Sequence, residues 1–315
     1  MADSSDSSAY LHAVIPRRLR HLAPALCLLP ATALAACGTV TGAHPGSRPS
    51  PTARSATAPS TATPSVRPPA PGTPRPPTLA PGPGGLAPVF SHGPRDAAHK
   101  TVALTFDADM TADEGPRAAA GERFDNPALL DTLRVLKVPA TVFMTGRWAE
   151  EYPDEARAIG RDPLFEIANH SYSHYSFTGD CYGLPTLDGD TDRMRTDVER
   201  AFTAIRAAGV PRPMPYFRFP GGCHDRRSLR AVSALGVTAV QWDVVGGDAF
   251  ATDAGAVARQ VLDGVRPGSV VVLHCTRSAA PVTERAVRQV VPELRERGYR
   301  FVRVSELINA STGRH

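Results

Sequence analysis

The sequence predicts an α/β fold, a TIM-like, distorted (β/α)7 barrel, on three observations. Short apolar runs rich in β-branched residues alternate with helical stretches from about residue 101 to the end. The 215 residues involved are a suitable length for such a barrel. Ionisable side chains also recur at the carboxyl ends of the runs, the face on which parallel barrels gather their functional groups.

The elements follow in order. Residues 101–106 are apolar and β-prone, and the run ends on Asp107. A helical stretch at 127–136 leads to a strand at 140–144. Another helical segment, 147–159, precedes the strand 165–168, which stops just before His170. In the next helix Met194, Val198, Phe202 and Ile205 recur at helical spacing and form one apolar stripe. Residues 216–219 are extended and contain Arg218, and 227–235 are helical. A strand at 237–242 closes on Trp242, followed by Asp243. A helix at 254–265 then leads to strand 269–274, which closes on His274. Helix 282–297, a strand at 299–304 and a helical run from Ser305 complete the pattern. Strands alternating with crossover helices make a parallel sheet.

The first hundred residues differ in kind. Residues 38–100 hold 15 of the 31 prolines and few bulky apolar side chains, so they are expected to form an extended tether with too little apolar surface to order themselves. Residues 1–100 carry 9 basic and 3 acidic side chains, a net +6, and the remaining 215 carry 26 and 28, a net −2. The basic balance therefore lies outside the folded part, which excludes nucleic acid as a partner on charge grounds.

Arg17, Arg18 and Arg20 precede an apolar run at 22–36, too short and too interrupted by Pro24 and Pro30 to span a bilayer easily. The run ends in Leu34-Ala35-Ala36-Cys37, which resembles the lipobox of bacterial lipoproteins, where the cysteine is lipidated. The expected organisation is a signal peptide at 1–36, a tether at 37–98 and a folded domain at 99–311, anchored outside the cell membrane through lipid on Cys37. Ala33-Leu34-Ala35 also reads as an ordinary cleavage site, giving a secreted protein, and Arg17-Arg18 as a loose twin-arginine signal. Cys181, Cys223 and Cys275 remain in an oxidising compartment. One pair plus a free thiol, or three thiols, both fit, and the connectivity stays open.

The stretch Phe165-Glu-Ile-Ala-Asn-His-Ser-Tyr-Ser-His174 carries the strongest local signal for chemistry. Its spacing puts His170 and His174 on one side of a helical turn or tight loop. Two such nitrogens can reach one ion at about 2.0–2.1 Å. A pair of structural histidines fits the spacing equally well. What favours a metal is the company of Asp107, Asp109, Arg218, Trp242, Asp243 and His274 at neighbouring strand ends, where stability needs no charge.

At these residues the chain resembles the polysaccharide deacetylases, the NodB-homology group of carbohydrate esterase family 4. Over about residues 100–310, Thr105-Phe-Asp-Ala-Asp109 is similar to the family's T-F-D-D-G and His170-Ser-Tyr-Ser-His174 to its H-[ST]-x-x-H. Arg218-Phe-Pro-Gly-Gly222 is similar to R-x-P-Y-G, Gln241-Trp-Asp-Val-Val-Gly-Gly-Asp248 lies where the family has a Trp and then D-x-x-D-W, and Val272-Leu-His274 matches L-x-H. The resemblance implies a metal-dependent hydrolase that releases acetate from an acetylated glycan. Its implied ion is divalent, zinc first and cobalt or another ion after it, held by His170, His174 and Asp109. Asp107 would be the general base, His274 the proton donor to the leaving group, and Arg218 the residue that holds Asp107. Backbone N–H groups near Gly221 would help bind the oxyanion, and Gly221, Trp242 and Asp248 would contact the sugar. Trp242 also fits as plain core.

Three departures from the family pattern bear on these roles. Ala108 stands where the family has a second, metal-binding Asp. Residues two apart in an extended chain face the same side, so Asp109 can replace that ligand beside Asp107. Val245 and Ala249 replace the family's first Asp and final Trp in the fourth motif, which leaves Asp243 or Asp248 as the partner of Arg218. Gly222 and Cys223 stand where an aromatic residue is expected, which widens the sugar site. The favoured reading is a cell-envelope enzyme acting on acetylated polysaccharide, peptidoglycan first. An O-acetyl esterase acting on xylan or a similar polymer is the runner-up, and a catalytically silent glycan-binding module is the alternative of another class.

Overall fold

The computed structural model describes residues 75–187 and 189–313. The expected signal peptide, Cys37 and the tether up to residue 74 lie outside them. The strands are β1 (Val89–Phe90), β2 (Thr101–Ala108), β3 (Ala140–Met144), β4 (Phe165–Asn169), β5 (Tyr216–Phe217), β6 (Thr238–Val240), β7 (Val244–Val245), β8 (Ser269–His274) and β9 (Arg300–Phe301). The helices are α1 (Gly115–Ala119), α2 (Pro127–Val135), α3 (Gly146–Glu151), α4 (Pro153–Arg161), α5 (Thr191–Ala207), α6 (Arg226–Ser233), α7 (Ala254–Gly264), α8 (Thr283–Glu296) and α9 (Val304–Thr312).

The strands form one sheet in the order β1-β6-β5-β4-β3-β2-β8-β7, with β9 paired to β2. All of these ladders are parallel. One path closes the curl. The chain leaves β5's side as β6, passes through residues 241–243, and joins β8 as β7. The short β1 segment laces this split: Phe90 is in register with Val240, while His92 bridges Ser269 and the Gly93 N–H donates to the Gly268 carbonyl at 2.8 Å. The result is the distorted barrel, with β9 wedged against the start of β2.

The two-residue period of β2 sorts its side chains between two apolar layers. Val102, Leu104, Phe106 and Ala108 pack outward with the helices. Ala103 joins Phe143, Ala168, Tyr216, Val240 and Val270 in the interior, where Leu307 and Ile308 of α9 also lie. The apolar stripe of α5 behaves as its spacing requires, with Met194, Val198 and Ile205 fully buried and Phe202 partly so. Helices start on short polar caps: Asn126, Thr145, Asp190, Asp225 and Asp253 each accept a backbone N–H from the first turn.

Three expectations need correction. Residues 75–98 are packed on the barrel and are not the end of a tether. The Tyr216 hydroxyl donates to the Pro77 carbonyl at 2.8 Å and the Leu79 N–H to Thr238 Oγ1 at 3.1 Å. Leu86, Ala87 and Phe90 are buried. A few apolar anchors thus suffice to dock a proline-rich segment. The helix expected at 147–159 is two helices, because Pro153 lacks the N–H that would continue α3 and instead occupies the first turn of α4. The strand expected at 299–304 narrows to Arg300–Phe301 because Val304 already begins α9.

Candidate active site

Strand register alone brings the first two groups together. Asp107 on β2 is the direct neighbour of His274 on β8, and both continue the inward-facing series. Ala108 turns to the outer apolar layer and is fully buried there. Asp109 turns back toward the mouth. The Thr276 hydroxyl accepts the Asp109 N–H at 3.0 Å and donates to the Asp109 carboxylate.

The His170–His174 segment is a tight loop, not a helical turn. Asn169, at the end of β4, donates to the Val198 carbonyl at 2.9 Å and accepts the Ser171 N–H at 2.8 Å. Asp197 on α5 accepts the Tyr172 N–H at 2.7 Å. Ser171 and His174 take left-handed φ values of 70° and 56°, a strained conformation for side chains of this kind. The ring centroids of His170 and His174 are 4.9 Å apart. His170 directs Nδ1 to the Arg218 carbonyl at 3.0 Å, leaving Nε2 3.5 Å from Asp107 Oδ2. His174 Nε2 stands 3.6 Å from Asp109 Oδ2. Burial pushes His170 down to about 4, so it is neutral at physiological pH. Burial opposes the charge on Asp109, but nearby His174 and His274 and the Thr276 hydroxyl outweigh it, and its carboxyl lies below the usual range.

Arg218 is fully buried in the barrel, with its guanidinium 3.8 Å from the Phe143 ring centroid. Its Nε donates to the Val240 carbonyl at 3.2 Å and one terminal nitrogen to Asp107 Oδ1 at 2.6 Å. The other terminal nitrogen has no hydrogen-bond partner among the described residues. The expected partner for Arg218 is corrected here. Asp243 lies on the far side of the strand split, bonded to Arg95 at 2.7 Å and to the Val270 N–H at 2.7 Å. Asp248, expected at the sugar, is 1% exposed and belongs to His274. It accepts His274 Nδ1 at 2.9 Å, the His274 N–H at 2.7 Å and the Thr283 hydroxyl at 2.6 Å. Burial works against a charge on His274, but the Asp248 carboxylate prevails and its pKa is pushed up to about 10.

Two glycines shape the wall beside Arg218. A Cβ on Gly221 would come within 2.6 Å of Cys181 Sγ, and one on Gly222 within 2.5 Å of the Trp242 ring. Trp242 is half-buried, packed against the interior apolar cluster, with its ring 5.4 Å from the Arg218 guanidinium. The Gly222 N–H donates to the Phe219 carbonyl at 2.8 Å, so it is taken up within the turn next to the expected oxyanion donor. Cys181 and Cys223 form a disulfide and Cys275 is a buried thiol. A cavity of about 200 Å³ opens on this mouth, lined by Asp109, His174, Thr276, Leu184 and Phe250 among others. Asp107, His170 and Arg218 do not line it and are nearly or fully buried. Sequence reasoning missed Thr276, Asp197 and Asn169. Thr276, two residues beyond His274, and Asn169, directly before His170, left a trace in the sequence, and Asp197 left none.

The donor types suit a divalent ion: the imidazoles of His170 and His174 and the carboxylate of Asp109. Two ligands at about 2.1 Å from a tetrahedral ion stand roughly 3.4 Å apart, close to the 3.6 Å separation of His174 Nε2 and Asp109 Oδ2. Among the described residues no three such side chains converge on a common point, so His170 would have to draw in for the three to share an ion. The hydrogen bond from His170 Nδ1 to a backbone carbonyl is the kind that orients a ligating imidazole.

Residues 95–240 match the family model described as polysaccharide deacetylase. A chitooligosaccharide deacetylase from Azorhizobium caulinodans is 30% identical over 208 residues, 60% of this chain and 89% of that protein. A peptidoglycan-N-acetylglucosamine deacetylase from Bacillus cereus is 28% identical over 211 residues, 66% of this chain and 88% of that protein. Among solved structures, a family 4 carbohydrate esterase pseudoenzyme from Bacillus anthracis has a TM-score of 0.58 at 23% identity, covering 74% of this chain and 70% of that one. A family 4 acetyl xylan esterase from Clostridium thermocellum, in complex with a cobalt ion, has a TM-score of 0.52 at 24% identity, covering 67% and 91%. These two likenesses show the fold alone. The relation to the Azorhizobium protein extends over most of that protein's length, and the chain belongs to the polysaccharide deacetylase family.

Proposed function

We propose that the protein is a divalent-metal-dependent deacetylase that hydrolyses N-acetyl groups of a cell-wall glycan, peptidoglycan first, and releases acetate. One observation carries the reading. At adjacent strand ends a carboxylate held by a buried arginine faces an imidazolium held by a buried aspartate, beside a His–His–Asp group. Asp107 has Oδ1 committed to Arg218 and Oδ2 directed toward His170 Nε2 3.5 Å away, beside the residues assigned to the ion, so Oδ2 is the atom to take a proton from the attacking water. His274 keeps Nδ1 on Asp248 and, as the charged form, can give the Nε2 proton to the departing amine. The balance closes: water oxygen bonds to the acetyl carbon, one water proton passes to Asp107 and the other leaves with the acetic acid, the C–N bond breaks, and the amine takes the proton that His274 gives up, after which Asp107 and His274 return to their starting forms by exchange with solvent.

His170, His174 and Asp109 are the residues to hold the ion, zinc by ligand type. When bound, it would polarise the acetyl carbonyl and stabilise the developing oxyanion. The names of the rhizobial and Bacillus relatives support an N-acetylated glycan as substrate. The Cys181–Cys223 disulfide supports an extracytoplasmic location, as does the Leu34-Ala35-Ala36-Cys37 sequence, which would anchor the protein through lipid.

The test is acetate release from peptidoglycan, N-acetylglucosamine oligomers and acetylated xylan, with metal analysis of the same sample. Release from the first two that a chelator abolishes is expected. Release from acetylated xylan alone would make it an esterase. Glycan binding with no release under added zinc or cobalt would make it a binding module.

A further inference from the structure

The mouth carries an aromatic side chain that the proposed chemistry does not use. Phe250, between β7 and α7, is 83% exposed and lines the same cavity as Asp109 and His174. Its φ is 59°, a left-handed value that is an outlier for a bulky residue. The backbone is held there by its N–H, which donates to the Ala279 carbonyl at 2.6 Å. Apart from Lys137, the non-glycine residues with positive φ among those described are Ser171, His174, Tyr182 and Phe250. Ser171 and His174 form the histidine loop, and Tyr182 packs near Gly221. Strain of this kind collects where a function holds it, and the phenyl ring is left uncovered at the rim of the cavity.

The cavity volume says what such a ring could meet. At about 200 Å³ the space is smaller than the roughly 300–1,000 Å³ of pockets that engulf a small molecule. It can admit an acetylated arm and part of one ring, and the rest of a glycan must lie across the rim. The face of a pyranose presents C–H groups, an apolar surface that is favourably buried against an aromatic ring.

We propose that Phe250 is a specificity-determining platform on which a sugar ring of the glycan stacks, so that the protein favours oligomers over the acetylated monosaccharide. The inference rests on the deacetylase reading and deepens it. Leu184 lines the same cavity from the loop stapled by Cys181 and supplies a second apolar wall.

The test compares the wild type, Phe250→Ala and Phe250→Trp on an N-acetylglucosamine pentamer and on N-acetylglucosamine itself. The ratio of kcat/KM between the two substrates is expected to fall about tenfold in Phe250→Ala, chiefly through the pentamer KM. Phe250→Trp is expected to keep it. A ratio within about twofold of wild type in Phe250→Ala, or equal losses on both substrates, would overturn the platform. Calorimetric binding of the pentamer to the wild type and Phe250→Ala separates the two ideas. If no acetate is released by the wild type but Phe250→Ala weakens binding, the deacetylase reading fails and the platform stands. If acetate is released and binding is unaltered, the reverse holds.

Discussion

Asp248→Asn isolates the electrostatic device that makes His274 an acid. In the native protein the carboxylate accepts the imidazole Nδ1 at 2.9 Å and raises its pKa to about 10. The amide keeps the shape and can still accept the His274 N–H and the Thr283 hydroxyl, but it has no charge to offset burial. The imidazole should then fall to its ordinary pKa of about 6.5 or lower. At pH 8 the native acid is almost fully protonated, whereas a group of pKa 6.5 is protonated to about 3%. Turnover should drop about 30-fold at pH 8 and less than about twofold at pH 6. The assay is kcat for acetate release between pH 5 and about 10.5, and the basic limb should move down by about three pH units. A uniform loss at every pH, with the limb unmoved, would refute the assignment of His274 as an acid tuned by Asp248. The linkage sign agrees. A folded pKa raised above the unfolded one gives stability that is complete below about pH 6.5 and is lost as pH rises through about 10.

The remaining predictions concern the base, the ion and the staple. Asp107→Asn should lower kcat at least about a hundredfold while metal content is retained, and near-normal turnover would move the base elsewhere. His170→Ala should lose metal and activity together, measured by elemental analysis beside acetate release. Asp109→Ala should also lose metal, and full retention would remove Asp109 from the ligand set. Replacing Cys181 and Cys223 by Ser opens a loop of sequence separation 42, and urea unfolding should show a loss of about 2–4 kcal/mol.

The residues that the sequence made legible are those whose position follows from strand period. Asp107 and Asp109 flank an outward Ala108 because a strand alternates, and His274 lands beside Asp107 because both end parallel strands in register. Pairings that depend on how the barrel closes were not legible. The path through 241–243 crosses from the β5 side to β8, which carries Asp248 to His274 and strands Asp243 near Arg95. No local pattern encodes that crossing. Composition averaging hid the docking of residues 75–98, since Leu79, Leu86 and Phe90 are diluted by proline. Asp197 reads as one more exposed helix charge until the loop it holds is in place. The disulfide likewise needed the loops of Cys181 and Cys223 brought together in space.

The most direct measurement strips the purified protein of metal and titrates zinc or cobalt back while following acetate release from an N-acetylglucosamine oligomer. One equivalent of ion should be taken up, and turnover should rise in proportion and vanish again with chelator. A protein that binds no ion and hydrolyses nothing under added zinc or cobalt would contradict the reading of Asp107, Asp109, His170, His174 and His274 as one hydrolytic site.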